Sequence, residues 1–185
     1  MSYEKLSDFL QLFYSITGEE TYEVSGIEIK RSIRNIASGG GVYPTEIFIV
    51  NQRIHGLPKG VYHYEVIQEK IALVHPMENT DFNQLQYLFM ASQHSKSNID
   101  YQGASFFILF TSVLNKHSFK YQDFGILLSL LEVGEFIHSA YLSCSTLDLG
   151  GCVFGGILND EINKFLDLRN PLHYPVVAMA VGNKA

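Results

Sequence analysis

A basic cluster, a glycine run and a β-rich segment follow one another in this chain, and their order restricts the fold. Residues 30–46 read KRSIRNIASGGGVYPTE, and residues 47–50 continue as IFIV. A dinucleotide-binding fold needs a strand, then a glycine turn, then a helix. Because the glycine run here leads into a strand and not into a helix, the sequence excludes that fold.

The basic cluster has the chemistry of a phosphate-binding segment. Three of the 13 basic residues, Lys30, Arg31 and Arg34, lie close together around Ser32 in a chain whose net charge is -6. Charged donors form stronger hydrogen bonds to phosphate than neutral donors do. In an extended segment Lys30, Ser32 and Arg34 face one way, whereas a helical segment groups the side chains differently. A solvated basic face before a flexible loop is the alternative interpretation.

Composition predicts one globular domain over residues 1–185 and excludes several classes of protein. With 46% hydrophobic and 17% charged residues, a chain of this length can bury a substantial core. The negative net charge argues against nucleic acid as a partner. Residues 126–131 are apolar apart from Ser129, but Glu132 and Glu135 interrupt them too early for a membrane span. We therefore expect neither a nucleic-acid partner nor a membrane segment.

The cysteines, the histidines and the amino terminus predict a cytoplasmic protein without a metal site. Cys144 and Cys152 do not form a Cys-x-x-Cys pair, so no disulfide framework is indicated. The seven histidines are scattered without the spacing of a zinc site. The first residues lack the charged-then-apolar pattern of a secretion signal.

Hydrophobic periodicity predicts an α+β chain in which early strands form hairpins and helices are interleaved. We expect helices over about 3–16, 82–94, 124–147 and 159–167, with Asp81, Asp123 and Asn159 or Asp160 as caps. We expect strands at about 46–51, 60–66, 70–74, 104–113 and 175–181, the fourth of them buried on both faces. Residues 17–29 are expected to be a turn and an extended lead-in.

Four segments of the chain, taken in order, resemble the nitroreductase-fold enzymes, and in particular their SagB-type branch of thiazole- and oxazole-forming dehydrogenases. The basic-Ser-x-Arg stretch and the following SGGGVYPTE resemble the flavin-binding start of that branch. Lys120-Tyr121 precedes a long apolar helix, as the branch's catalytic pair does. Residues 149–156, LGGCVFGG, and residues 180–184, AVGNK, resemble its later motifs. The resemblance extends from about Leu6 to Lys184.

This resemblance implies a nitroreductase-like fold with a mostly antiparallel sheet flanked by helices, and a homodimer with FMN at its interface. The modified precursor peptide and a cyclodehydratase or other synthetase subunits are the implied partners. The reaction it implies is the dehydrogenation of thiazoline or oxazoline rings to azoles in a ribosomally made peptide. The implied FMN-binding residues are Lys30, Arg31, Ser32, Arg34, Ser38, Gly39, Gly40, Gly155, Gly156 and Lys184.

Lys120 and Tyr121 are the catalytic residues that the resemblance implies. Dehydrogenation of an azoline removes a proton from a ring carbon, and a base beside the ring must accept it. Taken without the resemblance, a Lys-Tyr dipeptide is more typical of an ordinary protein surface.

The chain also departs from the branch, which commonly continues with Arg, Tyr-Arg and Gly-His in the following helix. Here those positions hold Phe124, Ile126-Leu127 and Gly134-Glu135. Two guanidinium groups and an imidazole are therefore absent. Two other functions consequently stay open: an NAD(P)H-dependent nitro or quinone reductase, and a non-catalytic docking or scaffold subunit of a peptide-modifying complex.

Overall fold

The structure of the chain is a computed structural model that describes residues 1–78, 85, 87–90 and 99–184. The helices are α1 (Tyr3–Phe13), α2 (Leu114–Tyr121), α3 (Phe124–Thr146) and α4 (Asn159–Phe165). The strands are β1 (Ile16–Val24), β2 (Ile27–Arg34), β3 (Thr45–Asn51), β4 (Gly60–Glu65), β5 (Lys70–Pro76), β6 (Phe106–Val113), β7 (Leu149–Phe154) and β8 (His173–Asn183). Single 3-10 turns lie at Gly39–Gly41 and Val66–Gln68.

Six of the strands form one sheet in the order β5-β4-β3-β6-β8-β7. Every neighbouring pair in it is antiparallel. The predicted α+β fold, with a central antiparallel sheet flanked by helices, is therefore confirmed.

The central strand β6 separates two hydrophobic clusters, as its continuous apolar sequence predicts. Phe106, Ile108 and Phe110 face a cluster that includes the buried side chains of α1 and α3. Phe107 and Leu109 face the other cluster, to which α4 contributes. The alternation follows from the two-residue period of a strand.

Helix α1 forms where the spacing of its apolar residues predicts it. The hydroxyl of Ser2 accepts a hydrogen bond from the backbone N–H of Lys5 and caps the first turn. Leu6, Phe9, Leu10 and Phe13 are buried on one side of the helix. The helix ends at Phe13, a little earlier than expected.

Strands β1 and β2 form a separate hairpin, so the extended backbone and the turn expected over residues 17–29 are present, but as two paired strands that were not expected. Val24 pairs with Ile27, and the connecting Ser25 and Gly26 have φ angles of 53° and 79°. Two positive φ values are typical of the tight turn that matches strand twist. Gly18, which we read as a turn signal, instead lies in β1 next to a register shift.

Other boundaries also differ from the sequence-based expectations. Residues 149–154 form the edge strand β7, which was not among the expected strands. Asp123 has helical backbone angles and its side chain caps nothing. Asn159 donates to the carbonyl of Pro175 instead of capping α4. The expected helix over 82–94, with its cap at Asp81, lies mostly outside the described residues.

Helix α3 is, by length and composition, apolar enough to cross a membrane, with a mean hydropathy of 1.3 over its most apolar window. Core helices of soluble proteins have the same property, and 33% of that window is buried in the fold. The carboxylate of Glu132 in this helix accepts a hydrogen bond from the backbone N–H of Thr45. Helix α3 therefore packs against β3 on the side that carries Glu132.

Candidate functional site

The glycine turn and helix α2 lie at the same end of the sheet. Thr45, at the start of β3, pairs with Ser112, near the end of β6. The residues that precede β3 and those that follow β6 are therefore neighbours in space. This register brings the first of the predicted motifs, Gly39–Gly41, to the helix that carries Lys120 and Tyr121.

The glycine turn is in direct contact with both predicted catalytic side chains. A Cβ atom added at Gly40 would lie 2.5 Å from Nζ of Lys120 and 2.5 Å from the hydroxyl of Tyr121. The φ angle of Gly40 is 64°, in the region that favours glycine. Ser38 closes the turn, since its hydroxyl accepts from the N–H of Tyr43 at 2.8 Å. Glycine at position 40 thus permits the approach of an amine and a phenol to the backbone.

A buried histidine, which the sequence did not indicate, anchors this turn. Nε2 of His117 donates to the carbonyl of Gly39 at 3.1 Å, and Nδ1 lies 3.0 Å from the hydroxyl of Ser129. A carboxylate oxygen of the buried Glu132 is 4.0 Å from Nε2. His117 is on the same helix as Lys120 and three residues before it, so helical spacing is the signal that would have found it.

The side chains of the basic cluster do not converge on one place in this structure. Lys30 and Arg31 are exposed on β2 and form ion pairs with Glu19 and Glu20 at 3.9 and 3.4 Å. Ser32 is half-buried beside them. The guanidinium of Arg31 also approaches Gly41, whose added Cβ would lie 2.7 Å from it. Arg31, which we expected to point elsewhere, is therefore the member of the cluster next to the glycine turn.

Arg34 is packed into the protein instead. It donates to the hydroxyl of Tyr14, and its guanidinium lies 3.8 Å from the centre of the Tyr43 ring. Burial raises the pKa of Tyr14 to about 12, although the charge and hydrogen bond of Arg34 act to lower it. These contacts hold the segment before the glycine turn against α1.

The remaining predicted cofactor-binding residues lie elsewhere. Lys184 follows β8 and forms an ion pair of 2.6 Å with Asp148. Gly155 is beyond the end of β7 and has open space around it. The carbonyl of Gly156 accepts a hydrogen bond from the N–H of Met90 at 2.8 Å.

The two ends of the central sheet separate Lys184 from the glycine turn. Phe106, at the start of β6, pairs with Val181, just before Lys184, whereas Val113, at the other end of β6, leads into α2. The strand has eight residues. At about 3.3 Å per residue, the ends lie on the order of 20 Å apart. Gly155 is also remote from Lys184, because it follows Phe154, which pairs with Ala178, whereas Lys184 follows Asn183, which pairs with Leu149. The predicted site residues therefore do not form one group within one chain.

A second polar cluster lies near the glycine turn, beside a cavity of about 320 Å³. The carboxylate of Glu46 accepts from Lys116 at 2.8 Å and contacts Nε2 of His63 at 2.9 Å. Burial acts to raise the pKa of Glu46, but the hydrogen bonds from His63 and Lys116 outweigh it and hold the pKa at about 2. No sequence pattern indicated this cluster, because its members come from β3, β4 and α2.

The described residues contain no group of three or more metal-binding side chains. Cys144 and Cys152 are both free, the first buried and the second exposed. Burial raises the pKa of the Cys144 thiol to about 11. This thiol is thus a core group rather than a reactive one.

Comparison with known proteins agrees with the topology. The model of the family described as "Nitroreductase family" matches residues 5–183. The chain belongs to the nitroreductase family. A relative named as a nitroreductase in Methanocaldococcus jannaschii is 24% identical over 159 residues, which are 86% of this chain and 75% of the relative.

Two solved structures share the fold of this nitroreductase-family chain. One, described as a nitroreductase from Anabaena variabilis, has a TM-score of 0.78 at 21% identity over 96% of this chain. The other belongs to the Escherichia coli microcin synthetase McbBCD complex with truncated pro-MccB17 bound, and has a TM-score of 0.76 at 19% identity over the whole chain. The chain spans 34% of the first and 65% of the second.

Proposed function

We propose that this nitroreductase-family protein is a cytoplasmic, FMN-dependent oxidoreductase that dehydrogenates thiazoline or oxazoline rings in a ribosomally made peptide. The observation that carries the proposal is the meeting of Lys120 and Tyr121 at Gly40. Two proton-accepting side chains there lie against a backbone turn without a side chain. A flat ring lying on such a turn has both groups within reach.

The residues at this turn suit a flavin. Gly39 and Gly40 have no side chains of their own, and the mobile ends of Lys120 and Tyr121 lie beside Gly40. Lys120 and, beside Gly41, Arg31 supply positive charge to the turn. Ser38 would hold the turn in shape, and His117 would hold it against α2. Bound FMN would supply the hydride acceptor of the oxidation.

The side chains of this protein would accept the proton that leaves the azoline ring. Lys120 and Tyr121 lie at the end of α2, which the bond from His117 fixes to the glycine turn. Either Nζ of Lys120 or the hydroxyl of Tyr121 would accept the proton from the azoline ring carbon. Because both groups contact Gly40, either could reach the same ring carbon of a bound azoline.

A second copy of the chain would complete the site. Lys184, a predicted phosphate ligand, lies at the other end of the sheet from Gly40, so one ligand in one chain would need to span the sheet. In a two-fold dimer each site can take the glycine turn from one chain and Lys184 from the other. We therefore propose a homodimer with two shared sites.

The partners follow from the same proposal. A fold shared with a chain of a microcin synthetase complex that holds a precursor peptide supports a peptide substrate and synthetase partners. A cyclodehydratase is the class of enzyme that must supply the azoline rings. At 19% identity the likeness concerns the fold, so the substrate needs its own test.

The test combines cofactor identification with single-turnover kinetics. Cofactor released from the purified protein should be FMN, and an azoline peptide should bleach it without oxygen. Lys120→Ala and Tyr121→Phe should keep FMN and lower the bleaching rate by roughly 10²–10⁴. Lys164→Ala, in the last turn of α4, is the matched control and should have no effect. Near-normal bleaching in both site variants would remove the catalytic roles.

Sharing of the site has a separate test in mixed dimers. Homodimers of Lys120→Ala and of Lys184→Ala should each have two defective sites. A mixed dimer of the two variants should have one site with both defects and one intact site, and should recover about half of the activity per dimer. No recovery would mean that each site takes Lys120 and Lys184 from the same chain, and would contradict sharing.

A scaffold subunit is the second candidate, because specific residues favour it. Phe124, Ile126 and Leu127 replace polar residues of the SagB-type pattern and are half-exposed, and Glu135 is exposed as well. A colourless protein that binds a synthetase subunit tightly and leaves azoline peptides unchanged would establish this function. Oxidation of NAD(P)H in the absence of peptide would instead indicate a nitro or quinone reductase.

A further inference from the structure

The β1–β2 hairpin is an amphipathic arm, and its apolar face is exposed among the residues that the structure describes. Every residue from 19 to 31 is exposed. By the register of the hairpin, one face carries five apolar side chains that are 37–66% exposed: Tyr22, Val24, Ile27, Ile29 and Ile33. The ion pair of Glu20 with Arg31 lies on the same face, between the four apolar side chains near the turn and Ile33 at the base. The other face carries only polar side chains, namely Glu19, Thr21, Glu23, Glu28, Lys30 and Ser32.

A cover over this apolar face would stabilise the hairpin. A two-stranded hairpin is at best marginally stable by itself in water. The hairpin is not hydrogen-bonded to the six-stranded sheet. A substrate that binds and leaves would stabilise the arm only part of the time, whereas a resident subunit would do so always. We therefore expect a stably bound protein subunit, rather than a peptide substrate, to cover this face.

The chain itself offers a second apolar face, on α3 and the end of α2. Its members are 46–95% exposed: Phe119, Phe124, Ile126, Leu127, Leu130 and Leu131. The hairpin face and this helix face together present eleven apolar side chains that are each at least 37% exposed, an apolar area on the order of the ~800 Å² per partner of a standard interface. In a dimer, the hairpin face of each copy can therefore cover the helix face of the other.

Both faces adjoin the glycine turn. An added Cβ at Gly41 would meet Arg31 of the hairpin, and one at Gly39 would lie 3.1 Å from a methyl group of Leu128 in α3. The turn therefore lies between the base of the arm and the helix. A copy that covers both surfaces would also cover the approach to Lys120.

We propose that the hairpin is a dimer clasp: its apolar face packs on the exposed face of α3 in a second copy and closes the glycine-turn site. The clasp specifies the surface of the proposed homodimer and rests on that dimer. It does not depend on flavin or on the reaction, so its test is independent of both.

The first experiment measures the association of two charge variants by light scattering without FMN. Ile29→Lys on the apolar face should raise the dimer dissociation constant more than tenfold. Thr21→Lys, on the opposite face of the same hairpin, is the matched control and should leave the dimer intact. Circular dichroism of both variants reports whether the fold persists. A monomeric wild type, or an Ile29→Lys dimer alongside a monomeric Leu131→Lys, would overturn the clasp.

The second experiment uses disulfide trapping and does not require weakened association. In a Cys152→Ser background, Ile27→Cys combined with Leu131→Cys should form an intermolecular disulfide on mild oxidation. Glu28→Cys with Leu131→Cys is the control, because Glu28 is adjacent in sequence but lies on the polar face. Equal trapping in both pairs, or trapping in neither, would contradict the packing of the hairpin on α3. Loss of FMN chemistry with intact trapping would overturn the proposed reaction alone.

Discussion

Replacing Gly40 with alanine should separate the role of the glycine turn in the site from its role in the fold. The φ angle of 64° places an alanine in the left-handed region, which costs roughly 1–2 kcal/mol. For a chain of this size that corresponds to a fall of about 2–8 °C in Tm. The protein should therefore stay folded at room temperature.

The larger effect of this substitution should be on the site. The new Cβ would lie 2.5 Å from both Nζ of Lys120 and the hydroxyl of Tyr121. Contact distances between such atoms are about 3.5 Å, so each group must move by roughly 1 Å. Because both atoms end mobile side chains, the move costs little stability. A displacement of that size in a catalytic group costs about 10² in rate.

Gly26→Ala is the matched control. Gly26 has a φ of 79°, and an added Cβ there meets nothing within 4 Å. Both substitutions should lower Tm by a similar amount, but only Gly40→Ala should slow the single-turnover bleaching of FMN by an azoline peptide. Equal rates in the two variants would refute the reasoning that the turn positions Lys120 and Tyr121. So would a Gly40→Ala protein that has lost its flavin completely.

Three further substitutions test contacts of the site. Glu46→Gln should reduce the fall in the free energy of unfolding between pH 4.5 and pH 2, as measured by urea unfolding at a series of pH values. The reason is that the pKa of Glu46 is about 2 in the folded protein and ordinarily 4.5, so its carboxylate stabilises the fold above pH 4.5 and this stabilisation is lost as the pH falls towards 2. Arg34→Ala should cost about 2 kcal/mol, because its cation–π contact and its bond to Tyr14 are lost, whereas the exposed Arg31→Ala should change stability little; thermal unfolding compares them. His117→Leu should cost about 1–3 kcal/mol by leaving the Gly39 carbonyl without its donor, and His117→Gln should recover part of it in the same assay.

Local patterns in the sequence predicted the elements whose burial is regular. The apolar run at 104–113 gave the central strand, and the spacing of Leu6, Phe9 and Phe13 gave α1. The hairpin was missed because it lies in solvent, where no buried face marks its strands. Strand β7 was missed because two of its six residues are glycine, which is uncommon in strands.

The sequence alone also determined the order of the motifs and the residues with the right chemistry for a flavin site. Contact between Gly40 and the Lys120–Tyr121 pair depends on the pairing of β3 with β6, which joins residues about 65 positions apart. The location of Lys184 at the far end, the packing of Arg34 on Tyr43 and the bond from His117 to Gly39 likewise depend on long-range register. Register is fixed by which faces the whole sheet buries, and that is a property of the assembled core rather than of any short segment.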